Sequence, residues 1–187
     1  MTFNATETLS LSFIETDAGK FVARAKCFLE GANLLKMELV NGNRMLFAPA
    51  LHLAGQGLEL LLKGCLIHHG ATERDVKDMY GHRINEMWNQ PQCDQLRAAA
   101  AINAAITHEE ALGSGVYPDA AKVNDPASLF EEYCGALGTL HAGGGFPLRY
   151  PTEHDRMAPR TPLLIGTLWR TADDYAKRPT EFLSALG

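Results

Sequence analysis

The sequence predicts an all-α fold: one helical bundle of about five to seven helices, with a possible short strand pair, in a single domain over residues 1–187. Three observations carry this reading. Apolar residues recur at three-to-four-residue spacing through most of the chain. Capping residues, prolines and glycines punctuate those stripes at helix-length intervals. Leu9, Leu11 and Phe13 form the short alternating run, the one place where a strand is suggested. No internal repeat, low-complexity tract or linker divides the chain.

The first stripe is Phe21, Ala25, Phe28, Leu29, Ala32, Leu35 and Leu39, with Asp17 as an available N-cap and Asn41-Gly42-Asn43 as the break. A second helix is expected from about Arg44 or Pro49 to His69, closed by Gly70. It is apolar nearly all round and so belongs in the core, and Ala50, Ala54, Gly57 and Gly64 give it a face where a neighbouring backbone can approach. Thr72-Glu73-Arg74-Asp75 resembles a capping box and starts a helix that ends at Gly81. Ile84, Met87 and Trp88 share the face of a short helix stopped by Pro91. Asp94 opens an alanine-rich helix to about Leu112, followed by a loop over 113–124. Asp125-Pro126 starts a helix carrying Leu129, Phe130, Tyr133, Leu137 and Leu140 inward. After an irregular stretch over 143–160, Thr161-Pro162 opens the last helix, with Leu164, Ile165, Leu168, Trp169, Ala172 and Tyr175 apolar and Pro179 as its end. The expected core joins Phe28, Leu35, Leu53, Leu60, Leu61, Ile84 and Trp88 to Leu168 and Trp169.

With 46% hydrophobic and 21% charged residues the composition is that of an ordinary globular chain, not a disordered one. The richest apolar run, Leu58 to Ile67, contains Glu59 and Lys63 and is too short to span a bilayer, and no Lys or Arg and no apolar leader precede Lys20. A cytoplasmic protein without membrane association is expected. A net charge of −5 argues against a bulk electrostatic grip on nucleic acid, though not against a local basic site. Cys27, Cys65, Cys93 and Cys134 form no Cys-x-x-Cys pair; Cys27, Cys65 and Cys134 fall within helical patterns, as small buried thiols do. His52, His68 and His69 form no His-x3-His or Glu-x2-His pair, Gly143-Gly144-Gly145 lacks the Lys of a phosphate loop, and Ser114 lacks the strand-turn-helix setting of a hydrolase nucleophile. No metal and no cofactor are expected.

Glu59 and Lys63 stand one turn apart on the most apolar helix. On a surface they would be an ordinary i,i+4 ion pair; in a core they need partners. His82, just after the break at Gly81, is placed to hydrogen-bond Glu59, directly or through one water, as a polar tie between helices. A small-molecule enzyme built on Glu59 and His82 would further require a pocket between their helices.

Leu53-Ala-Gly-Gln-Gly-Leu-Glu59-Leu-Leu-Leu-Lys63-Gly, then Gly70, then Tyr80-Gly81-His82, resembles the HEPN (higher eukaryote and prokaryote nucleotide-binding) superfamily over about 40 residues. The resemblance implies RNA- or nucleotide-linked chemistry, with a metal-independent ribonuclease of a toxin or defence system as its sharpest form. Catalytic members carry an Arg, four to six residues, then a His; Arg149-Tyr150-Pro151-Thr152-Glu153-His154 has that spacing. His154 would then act as general base or acid and Arg149 would stabilise charge on the scissile phosphate. Tyr150 replaces the polar residue common after the Arg, and Pro151 interrupts the helix that normally displays the pair. The alternative is a non-catalytic binding and dimerisation module, with Arg149 tying down a carboxylate or loop carbonyls. The resemblance also implies a homodimer with the Arg149–His154 segment at its seam, and admits an antitoxin-type protein partner. Phe146, Leu148 and the broad apolar stripe of the last helix supply surface for such a seam.

Overall fold

A computed structural model describes residues 11–142, 148 and 159–183. Its α-helices, in chain order, are α1 (Leu11–Ile14), α2 (Asp17–Val40), α3 (Phe47–His68), α4 (Glu73–Tyr80), α5 (Ile84–Trp88), α6 (Asp94–Ser114), α7 (Pro126–Ala142) and α8 (Thr161–Lys177). Short 3-10 turns occupy Arg44–Leu46, Pro91–Cys93, Pro118–Lys122 and Pro179–Phe182. The fold is an all-α bundle, and among the described residues there is no strand.

The expected strand fails at its start. Leu11–Ile14 is one helical turn, with Leu11 exposed and Phe13 buried; Leu9 lies outside the described residues. Phe13 turns inward because its ring meets His68 at 4.8 Å and stacks on Tyr175 at 5.8 Å. Thr16, not Asp17, is the N-cap of α2: its Oγ1 accepts from the Gly19 amide at 3.0 Å and donates to the Phe13 carbonyl at 2.6 Å. That one hydroxyl fixes the corner between α1 and α2.

α2 and α3 form the central hairpin, joined by the short connection over 41–46. The small face of α3 is what lets them close. A Cβ on Gly57 would sit 2.5 Å from Leu29 Cγ, and one on Gly64 would sit 2.9 Å from Val22 Cγ2. The buried stripe of α2 is accordingly Ala18, Val22, Ala25, Leu29 and Ala32. Phe28 is only half-buried, and Leu35, Leu53, Leu60 and Trp169 pack at the edge of the core, whereas Leu61, Ile84, Trp88 and Leu168 are buried as expected. The stretch Arg44–His68 is long and apolar enough to cross a membrane by length and composition, and half of its most apolar window is buried inside the bundle.

α8 packs against α2 and α6 and also touches α3 and α7. Leu164, Ile165, Leu168, Ala172 and Tyr175 are all buried within this one chain. Most of the broad stripe is therefore buried within this chain, with Trp169 partly exposed at its edge, and Leu148 is half-buried against the core. Thr161, expected as a cap, is the first helical residue and is buried; Arg160 precedes it without a side-chain cap. Thr72 Oγ1 does accept from the Asp75 amide at 3.1 Å, and Asp125 Oδ1 from the Ser128 amide at 3.0 Å. Cys65, Cys93 and Cys134 are buried, but Cys27 is exposed, because the face of α2 it occupies is turned away from α3.

Candidate functional site

A polar cluster lies inside this apolar frame, centred on Glu59, which is 3% exposed. Lys63 Nζ donates to Glu59 Oε1 at 2.7 Å from one turn further along α3. His82 Nδ1 lies 3.0 Å from Glu59 Oε2, and His141 Nε2, from the end of α7, lies 2.7 Å from the same oxygen. Burial alone would push the Glu59 carboxyl upward; hydrogen bonds from His141, Lys63 and His82, with the Lys63 charge, outweigh it and hold its pKa down at about 2. An ionised carboxylate only accepts, so both ring nitrogens carry their protons toward Oε2.

Local sequence explains each position. Gly81 closes α4 at φ +54°, a turn that throws His82 back toward α3. Gly138 lets α5 press on α7: a Cβ there would sit 2.1 Å from Asn85 Oδ1, and Asn85 Nδ2 donates to the Gly135 carbonyl at 3.2 Å. Gly55 makes the slot for His141, whose Nδ1 would lie 2.6 Å from a Cβ at that position. His52, Gly55, Glu59 and Lys63 thus form a narrow stripe of polar or small residues along α3.

His141 was not foreseen from the sequence. Its signal was present nonetheless: it continues the buried stripe Phe130, Cys134, Leu137 on α7, and a histidine on an apolar face must find a partner. The Glu59–His82 hydrogen bond expected from the sequence is present and direct. Arg149 and His154 lie outside the described residues, as does Phe146.

Glu59, His82 and His141 also offer one ligand atom each, all within 4.8 Å of one another. The spacing of 2.7 and 3.0 Å to the shared oxygen is that of hydrogen bonds. Holding a metal ion would require both rings to exchange their N–H for a lone pair and to spread to the roughly 3.4 Å ligand separation of a tetrahedral site. The exposure is graded, with side chains 1% exposed at His141, 5% at Glu59 and 56% at His82. The group can therefore do two things: lock α3, α7 and the α4–α5 corner together, and orient one partly exposed imidazole.

No family model, curated protein or solved structure matches this chain.

The other weighed residues have ordinary roles. His69 Nδ1 is 2.9 Å from the Cys65 carbonyl at the end of α3, and His68 Nδ1 is 3.0 Å from Tyr175 Oη. Ser114 Oγ donates to the Ala111 carbonyl at 2.8 Å. Trp88 Nε1 donates to Glu131 Oε1 at 3.0 Å and Trp169 Nε1 to Glu30 Oε2 at 2.6 Å, so both indoles are satisfied. A cavity of about 540 Å³ opens elsewhere, lined by none of Glu59, Lys63, His82 and His141.

Proposed function

We propose that the chain is a HEPN-like helical protein acting in RNA- or nucleotide-linked chemistry, as a metal-independent ribonuclease in which Arg149 and His154 carry the reaction. One observation supports this reading above others. Glu59, Lys63 and His82, the residues on which the resemblance rests, come from two separate segments and meet in a single hydrogen-bonded group. In the proposed reaction His154 takes the proton of an RNA 2′-hydroxyl, that oxygen attacks the adjacent phosphorus, and Arg149 balances the charge gathering on the phosphate. The bond to the 5′-oxygen breaks and that oxygen takes a proton from solvent, leaving a cyclic phosphate and a free 5′-hydroxyl, while His154 returns its proton to solvent. A homodimer and an antitoxin-type protein partner belong to the same proposal.

The test is end-labelled RNA incubated with the purified chain in EDTA. Cleavage to cyclic-phosphate ends, lost in Arg149→Ala and in His154→Ala while the helical circular dichroism is retained, is the expected result. Absence of cleavage by the parent chain overturns the enzyme. A second reading has its own support: the Glu59 group is closed, its carboxylate fully engaged by three donors, as a purely structural tie would be. A non-catalytic binding and dimerisation module is then what remains, and light scattering showing a dimer without cleavage would favour it.

A further inference from the structure

The cavity of about 540 Å³ lies where the end of α2, the start of α3, the end of α6, the first half of α7 and the start of α8 meet. That volume is in the range that encloses a small organic ligand. Its walls are mainly apolar and aromatic, with Phe47, Leu129, Tyr133 and Leu163 among them. Its charged groups are unevenly matched. Glu110 is bonded to Arg170, and Asp119 is held by Lys122 at 2.8 Å and Arg160 at 2.9 Å. Lys36 makes no ion pair among the described residues; burial lowers its pKa, the nearby Arg170 charge lowers it further, and the Glu110 carboxylate, itself bonded to Arg170, opposes both.

A buried hydroxyl stands near it. Thr107 Oγ1 is buried without a hydrogen-bond partner. The absence of a side chain at the buried Gly166 of α8 gives both room: a Cβ there would sit 3.6 Å from Thr107 Oγ1 and 3.7 Å from Lys36 Nζ. A half-buried ammonium on the wall of a mainly apolar cavity, with no ion pair among the described residues, marks where a ligand of opposite charge supplies what the protein lacks.

We propose that this cavity binds a small aromatic monocarboxylate, its ring against Phe47 and Tyr133 and its carboxylate on Lys36. This site does not depend on the RNA-linked reading, since it uses neither Arg149 and His154 nor the Glu59 group. The matched probes are 2-naphthoate and its neutral amide, 2-naphthamide, titrated into the full chain by calorimetry. Naphthoate should bind at least about tenfold more tightly than the amide, a modest return for one charge-assisted contact. Lys36→Met should weaken naphthoate at least about tenfold and leave the amide unchanged. Leu129→Trp, which fills the cavity, should abolish both. Equal affinity for acid and amide, no binding of either, or unchanged naphthoate binding in Lys36→Met or Leu129→Trp would each overturn the proposal. Lys36→Gln, nearer in shape to lysine, gives the same test should the Met variant fold poorly.

Discussion

Removing the Glu59 carboxylate strands three groups at once. In Glu59→Ala, Lys63 keeps its ammonium with a side chain only 13% exposed, and His141, at 1%, loses the acceptor of its ring N–H. Breaking a buried ion pair from one side costs roughly 3–5 kcal/mol. An independent route gives a similar size: the fall in the Glu59 pKa from 4.5 to about 2 corresponds to about 3 kcal/mol of preference for the ionised, folded form. Lys63 can relieve part of its cost by reaching water along its flexible stem, which places the expected loss near 3 kcal/mol rather than 5. Urea unfolding followed by circular dichroism measures it, with an unchanged slope showing that stability alone has moved. The sign of the pH dependence follows from the same numbers. Because the folded-state pKa is depressed, the contribution is complete above about pH 4.5 and drains away as pH falls toward 2. The parent and variant curves should therefore converge on acidification. A loss below about 1 kcal/mol, the worth of one neutral hydrogen bond, or a gap that does not narrow in acid, would refute the reasoning.

Leu61 is fully buried at the centre of α3, and Leu61→Ala should cost about 2–5 kcal/mol in the same assay; a loss near zero would remove α3 from the core. Gly55→Ala should destabilise by roughly 1–3 kcal/mol by driving a methyl to 2.6 Å from His141 Nδ1, and a double-mutant cycle should show most of that cost vanish in His141→Ala. A thiol-reactive disulfide reagent should modify one cysteine quickly in the folded chain, Cys27, and reach the buried Cys65, Cys93 and Cys134 only on unfolding; several fast-reacting thiols would contradict the packing.

The helices were legible because each advertises its ends. Thr72, Asp125 and Pro126 mark starts, Gly70 and Gly81 mark stops at positive φ, and the observed boundaries follow them closely. What failed did so where tertiary contacts overrule local pattern. The alternation of Leu11 and Phe13 fits a strand as well as a helical turn until the Tyr175 and His68 rings are there to receive Phe13. Leu29, Ala25 and Ala32 are buried as the stripe expects, but Val22 joins them and Phe28 is only half-buried, because Gly57 and Gly64 bring the α2 face of Val22 and Leu29 against α3. The apolar stripe of α8 is largely taken up within the chain, by contacts with α2 and α6 that its own sequence could not assign. Half of the Glu59 site was readable because Glu59 and Lys63 are one turn apart and His82 follows a glycine break. His141 comes from 82 positions further along and could be found only by asking why a histidine continues a buried stripe.

The polar tie and the cavity divide the labour of the bundle. Phe47 and Glu59 are twelve positions apart on α3, about 18 Å of helix, and Tyr133 and His141 are eight apart on α7, about 12 Å. The two places share helices but no side chains. At the tie every charge has found its complement: one carboxylate, one ammonium and two ring N–H groups close on themselves, and the result is rigidity rather than an open valence. At the cavity the closure is incomplete: Lys36 makes no ion pair among the described residues, and Thr107 Oγ1 is buried without a partner. A fold can carry an unsatisfied cation only if other parts hold it together, and the Glu59 group fastens the same two long helices, α3 and α7, whose other ends wall the recess. Stability is concentrated where the electrostatics are closed. Recognition is to be sought where they are open.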